Sequence, residues 1–105
     1  MVYIFFMEIE YTDTFLTWYN KLTDPLAKKA IDARLTRILA FGHFGDIERY
    51  GLISELRIDK GKGYRIYCMM RSNVLVLLLL GGDKKSQDRD FKLAKKMAEE
   101  ILREG

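Results

Sequence analysis

The residue types best suited to chemistry in this chain gather between Ser54 and Gln87. Glu55, Arg57 and Asp59 alternate with Leu56 and Ile58, and Arg65, Tyr67, Met69 and Arg71 alternate with Tyr64, Ile66, Cys68 and Met70. Alternation with period two gives a strand one charged and one apolar face. Further on, Gly81, Gly82 and Asp83 lead to Lys84 and Lys85. Guanidinium groups fixed on rigid strands hold a phosphate through paired hydrogen bonds, and a sheltered face strengthens the contact. The basic set is thus Arg57, Arg65, Lys84 and Lys85, with Lys60, Lys62 and Arg71 near the loops. The same residues also fit a solvated face on which Glu55 and Asp59 neutralise the arginines as surface ion pairs. The pattern alone leaves both readings open.

Other chemistries find less support. His43 is the sole histidine, and it lies beside Phe41 and Phe44 in a glycine-rich stretch that reads as a turn. No Cys, His or carboxylate cluster has metal-ligand spacing, so no metal or other cofactor is expected. Neither the glycine pair at 61 and 63 nor that at 81 and 82 forms a phosphate-binding loop, and no serine-nucleophile elbow is present. Cys68, the only cysteine, falls on the apolar register of its strand and reads as a buried structural thiol.

At 105 residues the chain is read as one domain spanning residues 1–105, and its net charge of +3 is too small to specify a partner. The absence of a disulfide framework fits a reducing cytoplasm. The apolar run from Met1 to Met7 lacks the basic start and cleavage site of a signal peptide, and Met7 is an alternative start. Val74 to Leu80 is far too short to span a membrane as a helix, so a soluble protein is expected.

The elements that must position these groups can be placed in order. Val2 to Tyr11 reads as a strand. Thr12 or Asp13 caps a helix carrying Phe15, Trp18, Tyr19 and Leu22 on one side. Asp24 and Pro25 open a second helix with Ala27, Ile31, Leu35, Ile38 and Leu39 on its buried face, and Gly42 ends it. A short strand is expected from Asp46 to Arg49, then strands near 53–59, 63–71 and 74–80. Coincidence of the charged faces requires Arg57 opposite Arg65 and Glu55 opposite Tyr67, around a Lys60-Gly61-Lys62 loop. The uniformly apolar 74–80 strand is central. Gly81 to Asp83 form a turn, and Ser86 caps a last helix with Asp88 and Asp90 in its first turn. Phe91, Ala94, Met97, Ala98 and Ile101 line its apolar side. The expected class is α+β: an N-terminal strand, a helical hairpin, a three-stranded antiparallel meander and a C-terminal helix.

The blocks SELRID, KGKGYRIYCMMR and SNVLVLLLLGGDKKSQ together resemble the RelE/ParE toxin superfamily, and most of all its addiction-module killer, HigB-like branch. The resemblance spans about residues 8 to 100. It implies a RelE-like microbial ribonuclease fold and the toxin of a type II toxin–antitoxin pair, acting as a metal-independent, ribosome-dependent mRNA endonuclease. By position, Arg65 matches the family's phosphate-contacting arginine, Lys84 or Lys85 its second basic residue, and Arg57 and Glu55 the strand that supplies further groups. RNA contacts then fall to Arg57, Lys85, Lys60, Lys62 and Arg71, and catalysis to Arg65, Lys84, Glu55 and Asp90. Where the family pattern has a tyrosine this chain has Asp90 and Phe91, and the histidines of HigB- and YoeB-like relatives are missing, which leaves the acid and base unassigned. The implied partners are a cognate helix-turn-helix antitoxin, through which alone DNA would be met, and mRNA on the ribosome. A ParE-like gyrase binder and an inactive antitoxin-binding module share the same fold and stay open.

Overall fold

The computed structural model describes residues 7–104, so Val2 to Phe6 of the expected first strand and the choice between Met1 and Met7 as start lie outside it. β1 (Glu8–Tyr11) leads into α1 (Asp13–Lys21) and α2 (Pro25–Phe41). Then follow β2 (Ile47–Tyr50), β3 (Ile53–Ile58), β4 (Tyr64–Met70), β5 (Leu75–Gly82) and α3 (Gln87–Glu104). Among the described residues these strands form one sheet in the order β1-β5-β4-β3-β2. β2 to β5 make a four-stranded antiparallel meander, one strand longer than expected, and β1 runs parallel to β5 at its edge.

The helix ends are those the side chains dictate. Thr12 Oγ1 accepts from the Phe15 amide, and Asp24 accepts from the amides of Leu26 and Ala27 with Pro25 at the first helical position. Gly42 closes α2 in the left-handed region at φ 63°. β3 and β4 adopt the expected register, Arg57 opposite Arg65 and Glu55 opposite Tyr67. Their connection is longer than three residues: 59–63 form the loop, with Gly61 and Gly63 both at positive φ.

Two cores sandwich the sheet. On one face Phe15, Ala27, Ile31 and Ile38 of the helical hairpin pack on Leu56, Ile66, Cys68, Val76 and Leu78. On the other, Ala94 and Ala98 of α3 lie fully buried on Ile53, Tyr67, Met69, Leu79 and Leu80. Alanines at these positions let the helix backbone approach the sheet closely. The face read as charged is therefore only half open, because α3 covers its apolar part. Leu39, expected in the core, is 46% exposed.

A β-bulge decides what happens at the end of β5. Tyr67 opposes Leu80 while Cys68 opposes Leu78, so Leu79 is the extra residue and both Leu79 and Leu80 join the α3 core. The bulge shifts the phase of everything beyond it. Gly81 then lies beneath the Trp18 ring, and Gly82 beneath the Asp90 carboxylate and Ser86 hydroxyl, with no space for a Cβ at either. Gly81 and Gly82 are not the expected turn. They are the last two residues of the strand, glycines because of close approach rather than backbone angle.

Candidate anion-binding site

The site is organised around a buried carboxylate. Glu55 on β3 is 1% exposed and sits where β3, β4 and the start of α3 meet. Its Oε1 accepts from Arg57 Nε at 2.9 Å and lies 3.6 Å from Arg65 Nε. Its Oε2 accepts from Gln87 Nε2 at 3.1 Å, while Tyr67 donates its hydroxyl to the Gln87 carbonyl at 3.3 Å. Burial pushes the Glu55 carboxyl up. Hydrogen bonds from Arg57 and Gln87, the nearby Tyr67 hydroxyl and the charge of Arg65 outweigh it and hold the group below its ordinary value. Glu55 is thus a fixed anion at neutral pH.

The two guanidiniums differ. Arg57, one third exposed, extends Nη2 to the Tyr50 hydroxyl at 3.5 Å and Nη1 to 3.9 Å from Glu48. Arg65 is 14% exposed at its side chain and donates Nη1 to the Gly63 carbonyl at 3.3 Å. Its buried Nε finds no hydrogen-bond partner among the described residues. Gly82 faces Arg65 across the β4–β5 ladder, so no side chain of that strand crowds the guanidinium.

Lys84 enters the same neighbourhood. A Cβ built on Gly63 would lie 3.7 Å from Lys84 Cβ and 3.8 Å from Arg65 Nη1, so the two side chains flank that glycine. Lys62, Lys84 and Lys85 with Asp83 line an adjoining cleft of about 400 Å³. Asp83 shapes the turn, accepting from the amides of Lys85 and Ser86 through one carboxylate oxygen. Lys60 lies exposed in the neighbouring 59–63 loop. Arg71 is not brought in: Arg65 pairs at the Gly82 end of β5, while Arg71 bonds Leu75 at the other, ~20 Å along the strand.

Asp90 is engaged elsewhere. It is 7% exposed, accepts the Ser86 hydroxyl and packs on Gly82, which fixes the entry to α3. Ser86 therefore spends its hydroxyl on Asp90.

Two residues went unread in the sequence. Arg34 of α2 donates to the carbonyls of Phe44, Asp46 and Arg57, clamping the 43–46 loop onto β3. Tyr50 stands on the site's face because β2 runs one residue past Arg49. The alternation of Glu48 with Tyr50 is the signal that could have placed it.

A five-stranded sheet with this connectivity, a hairpin of helices on one face and a C-terminal helix on the other is the α+β fold of RelE. The chain superposes on a variant of E. coli toxin RelE in the free state with a TM-score of 0.67 at 14% identity, covering 87% of this chain and 97% of that one. It also matches the intact E. coli RelBE toxin–antitoxin complex with a TM-score of 0.58 at 14% identity, covering 73% of this chain and 95% of that one. No family model matches the sequence. An uncharacterized protein of Haemophilus influenzae is 50% identical over 96 residues, 90% of this chain and 96% of that protein, and the chain belongs to the same family. Among the described residues no helix is long and apolar enough to cross a membrane.

Proposed function

We propose that this protein is the toxin of a type II toxin–antitoxin pair and cleaves mRNA on the ribosome without a metal ion. The observation that carries the reading is the pairing of Arg57 and Arg65 on one buried carboxylate, with Lys84 across Gly63 from Arg65. In such cleavage the RNA's own 2′-hydroxyl attacks the adjacent phosphate, and negative charge grows on the phosphoryl oxygens in the transition state. Cations already fixed in place stabilise that charge without reorganising. Arg65 supplies the most sheltered of them: its buried Nε faces Glu55, and its Nη1 lies beside Gly63 and Lys84. Lys84 and Lys85 add a second positive flank, while Lys60 and Lys62 extend it along the loop as RNA contacts. Glu55, held as an anion and fully committed, orients the arginines rather than carrying a proton. Asp90 likewise serves the start of α3. The chain's contribution is orientation and charge stabilisation.

The RelE fold and the ELR, GYR and GGDK motifs together support the toxin reading, and the motifs favour the HigB-like branch. The antitoxin complex seen for RelE supports a cognate antitoxin as partner, and a basic face suits an acidic segment. An apolar groove of about 320 Å³ between β1, α1 and α2, lined by Tyr11, Leu16 and Leu39, offers a second kind of surface.

Expression of Arg65→Ala tests the site, with cell growth and primer extension on cellular mRNA as readouts. Loss of one preorganised donor to a developing oxyanion costs about 10²- to 10³-fold in rate, so growth arrest and codon-linked cuts should both disappear while the fold persists. An undiminished arrest would remove Arg65 from the site. Arrest with DNA breaks and no RNA cuts would replace the nuclease by a gyrase poison.

A further inference from the structure

Beside the arginines lies a second cavity, of about 400 Å³, lined by Tyr50, Glu55, Gln87, Asp88, Phe91 and Lys92. Two of its lining residues, Tyr50 and Phe91, are aromatic, which a phosphate site would not need. Tyr50 is 41% exposed and meets the Phe91 ring edge-on, at 5.0 Å between centroids and 81° between planes. Phe91 in turn meets the buried Tyr67 ring edge-on at 77°, which braces it from behind. The hydroxyl end of Tyr50 is tethered by Arg57 Nη2. The ring is thus held at both ends, by a guanidinium and by an aromatic neighbour, yet keeps a large open surface. Asp88 and Lys92, one helical turn apart on α3, place an acceptor and a donor at the rim.

We propose that this cavity is a nucleobase subsite: a nucleotide whose phosphate rests on Arg57 and Arg65 lays its base against Tyr50, with Phe91 as the side wall. Three features point to a base rather than to a peptide side chain or a second phosphate. A flat, partly exposed ring is the standard platform for a base, since every base has a π-face. The guanidinium that tethers this ring is itself one of the two proposed to hold the phosphate, so base and phosphate sites are spaced by a single side chain. The rim residues carry both an acceptor and a donor, as polar base edges require. Tyr50 is then a positioning and specificity residue. It brings an exposed aromatic ring to the site from β2, beside the Phe91 wall that α3 supplies. The proposal rests on the RNA-site reading above, and its test separates the two.

The experiment is a fluorescence-anisotropy titration at low salt with a labelled single-stranded ribohexamer, 2′-O-methylated against cleavage. A matched series replaces each base in turn by an abasic unit. The wild-type protein should bind the intact hexamer roughly ten- to hundredfold more tightly than one abasic member of the series. Tyr50→Ala should abolish that preference, and Tyr50→Phe should retain it, because the ring and not the hydroxyl makes the contact. Arg65→Ala should weaken all oligonucleotides alike and keep the preference. Preference retained in Tyr50→Ala, or lost equally in Tyr50→Phe, overturns the base subsite while leaving the phosphate site standing. Equal affinity of Arg65→Ala and wild type, or no binding by wild type, overturns both.

Discussion

Replacing Glu55 probes the organising principle of the site most directly. In Glu55→Ala, Arg65 loses the one carboxylate that lies within 4 Å of it among the described residues while remaining 14% exposed, and Gln87 loses its acceptor. Breaking a buried ion pair by removing one partner costs about 3–5 kcal/mol. The lower end applies here, because the partly exposed Arg57 can turn to Glu48 and water. A loss of about 3 kcal/mol in a domain of this size lowers the melting temperature by roughly 12–24 °C. Glu55→Gln keeps the shape and one acceptor oxygen but turns an amide toward the donors, and should cost about 2 kcal/mol.

The pH dependence carries the sign. The folded-state value of Glu55 lies below its ordinary 4.5, so near that pH the unfolded chain binds more protons than the native one. The resulting stability is present above 4.5 and fades as pH falls through the depressed value. The wild type should therefore lose this contribution below pH 4.5, and Glu55→Gln should lack that component. Urea unfolding followed by the fluorescence of Trp18, the single tryptophan, measures both quantities between pH 7 and pH 3. If Glu55→Gln lay within about 0.5 kcal/mol of wild type at pH 7 and the two acid profiles ran parallel, the carboxylate would not be the anchor of the arginines.

Two further outcomes follow from packing. Gly82→Ala puts a methyl into the Asp90 carboxylate and should cost about 2 kcal/mol or more by overpacking, read as a lower urea midpoint; an unchanged midpoint would show that α3 yields at its first turn. The Cys68 thiol is 1% exposed, and burial, only partly offset by Arg49, pushes its pKa up to about 12. It should therefore react with a disulfide reagent at neutral pH only as the protein unfolds, whereas prompt stoichiometric labelling of the native protein would contradict the buried placement.

Local pattern carried much of this protein. Caps at Thr12, Asp24 and Gly42 depend on neighbours two to five residues away, and the helices start and stop there. The β3–β4 register followed because a one-residue slip would have driven Arg65 into the apolar face, so Arg57 and Glu55 came out opposite Arg65 and Tyr67. The basic set was likewise visible as residue types; Arg57 lies opposite Arg65 across the β3–β4 ladder, and Lys84 flanks Gly63 beside Arg65.

Tertiary packing decided the rest. Alternation says that Glu55 and Arg57 share a face, but not that α3 closes over one and leaves the other at its edge; burial turned Glu55 from a surface ion-pair partner into the site's fixed anion. The bulge at Leu79 left no trace in a run of seven apolar residues, yet it set which side Gly81 and Gly82 face, and so placed Gly82, covered by Asp90 and Ser86, opposite Arg65. Tyr50 reached the cavity because β2 pairs one residue further along β3 than local propensity indicated. Period and capping are properties of adjacent residues and can be read along the chain. Burial, strand phase past a bulge and the meeting of β2 with α3 depend on groups far apart in sequence, and exist only once the layers have packed.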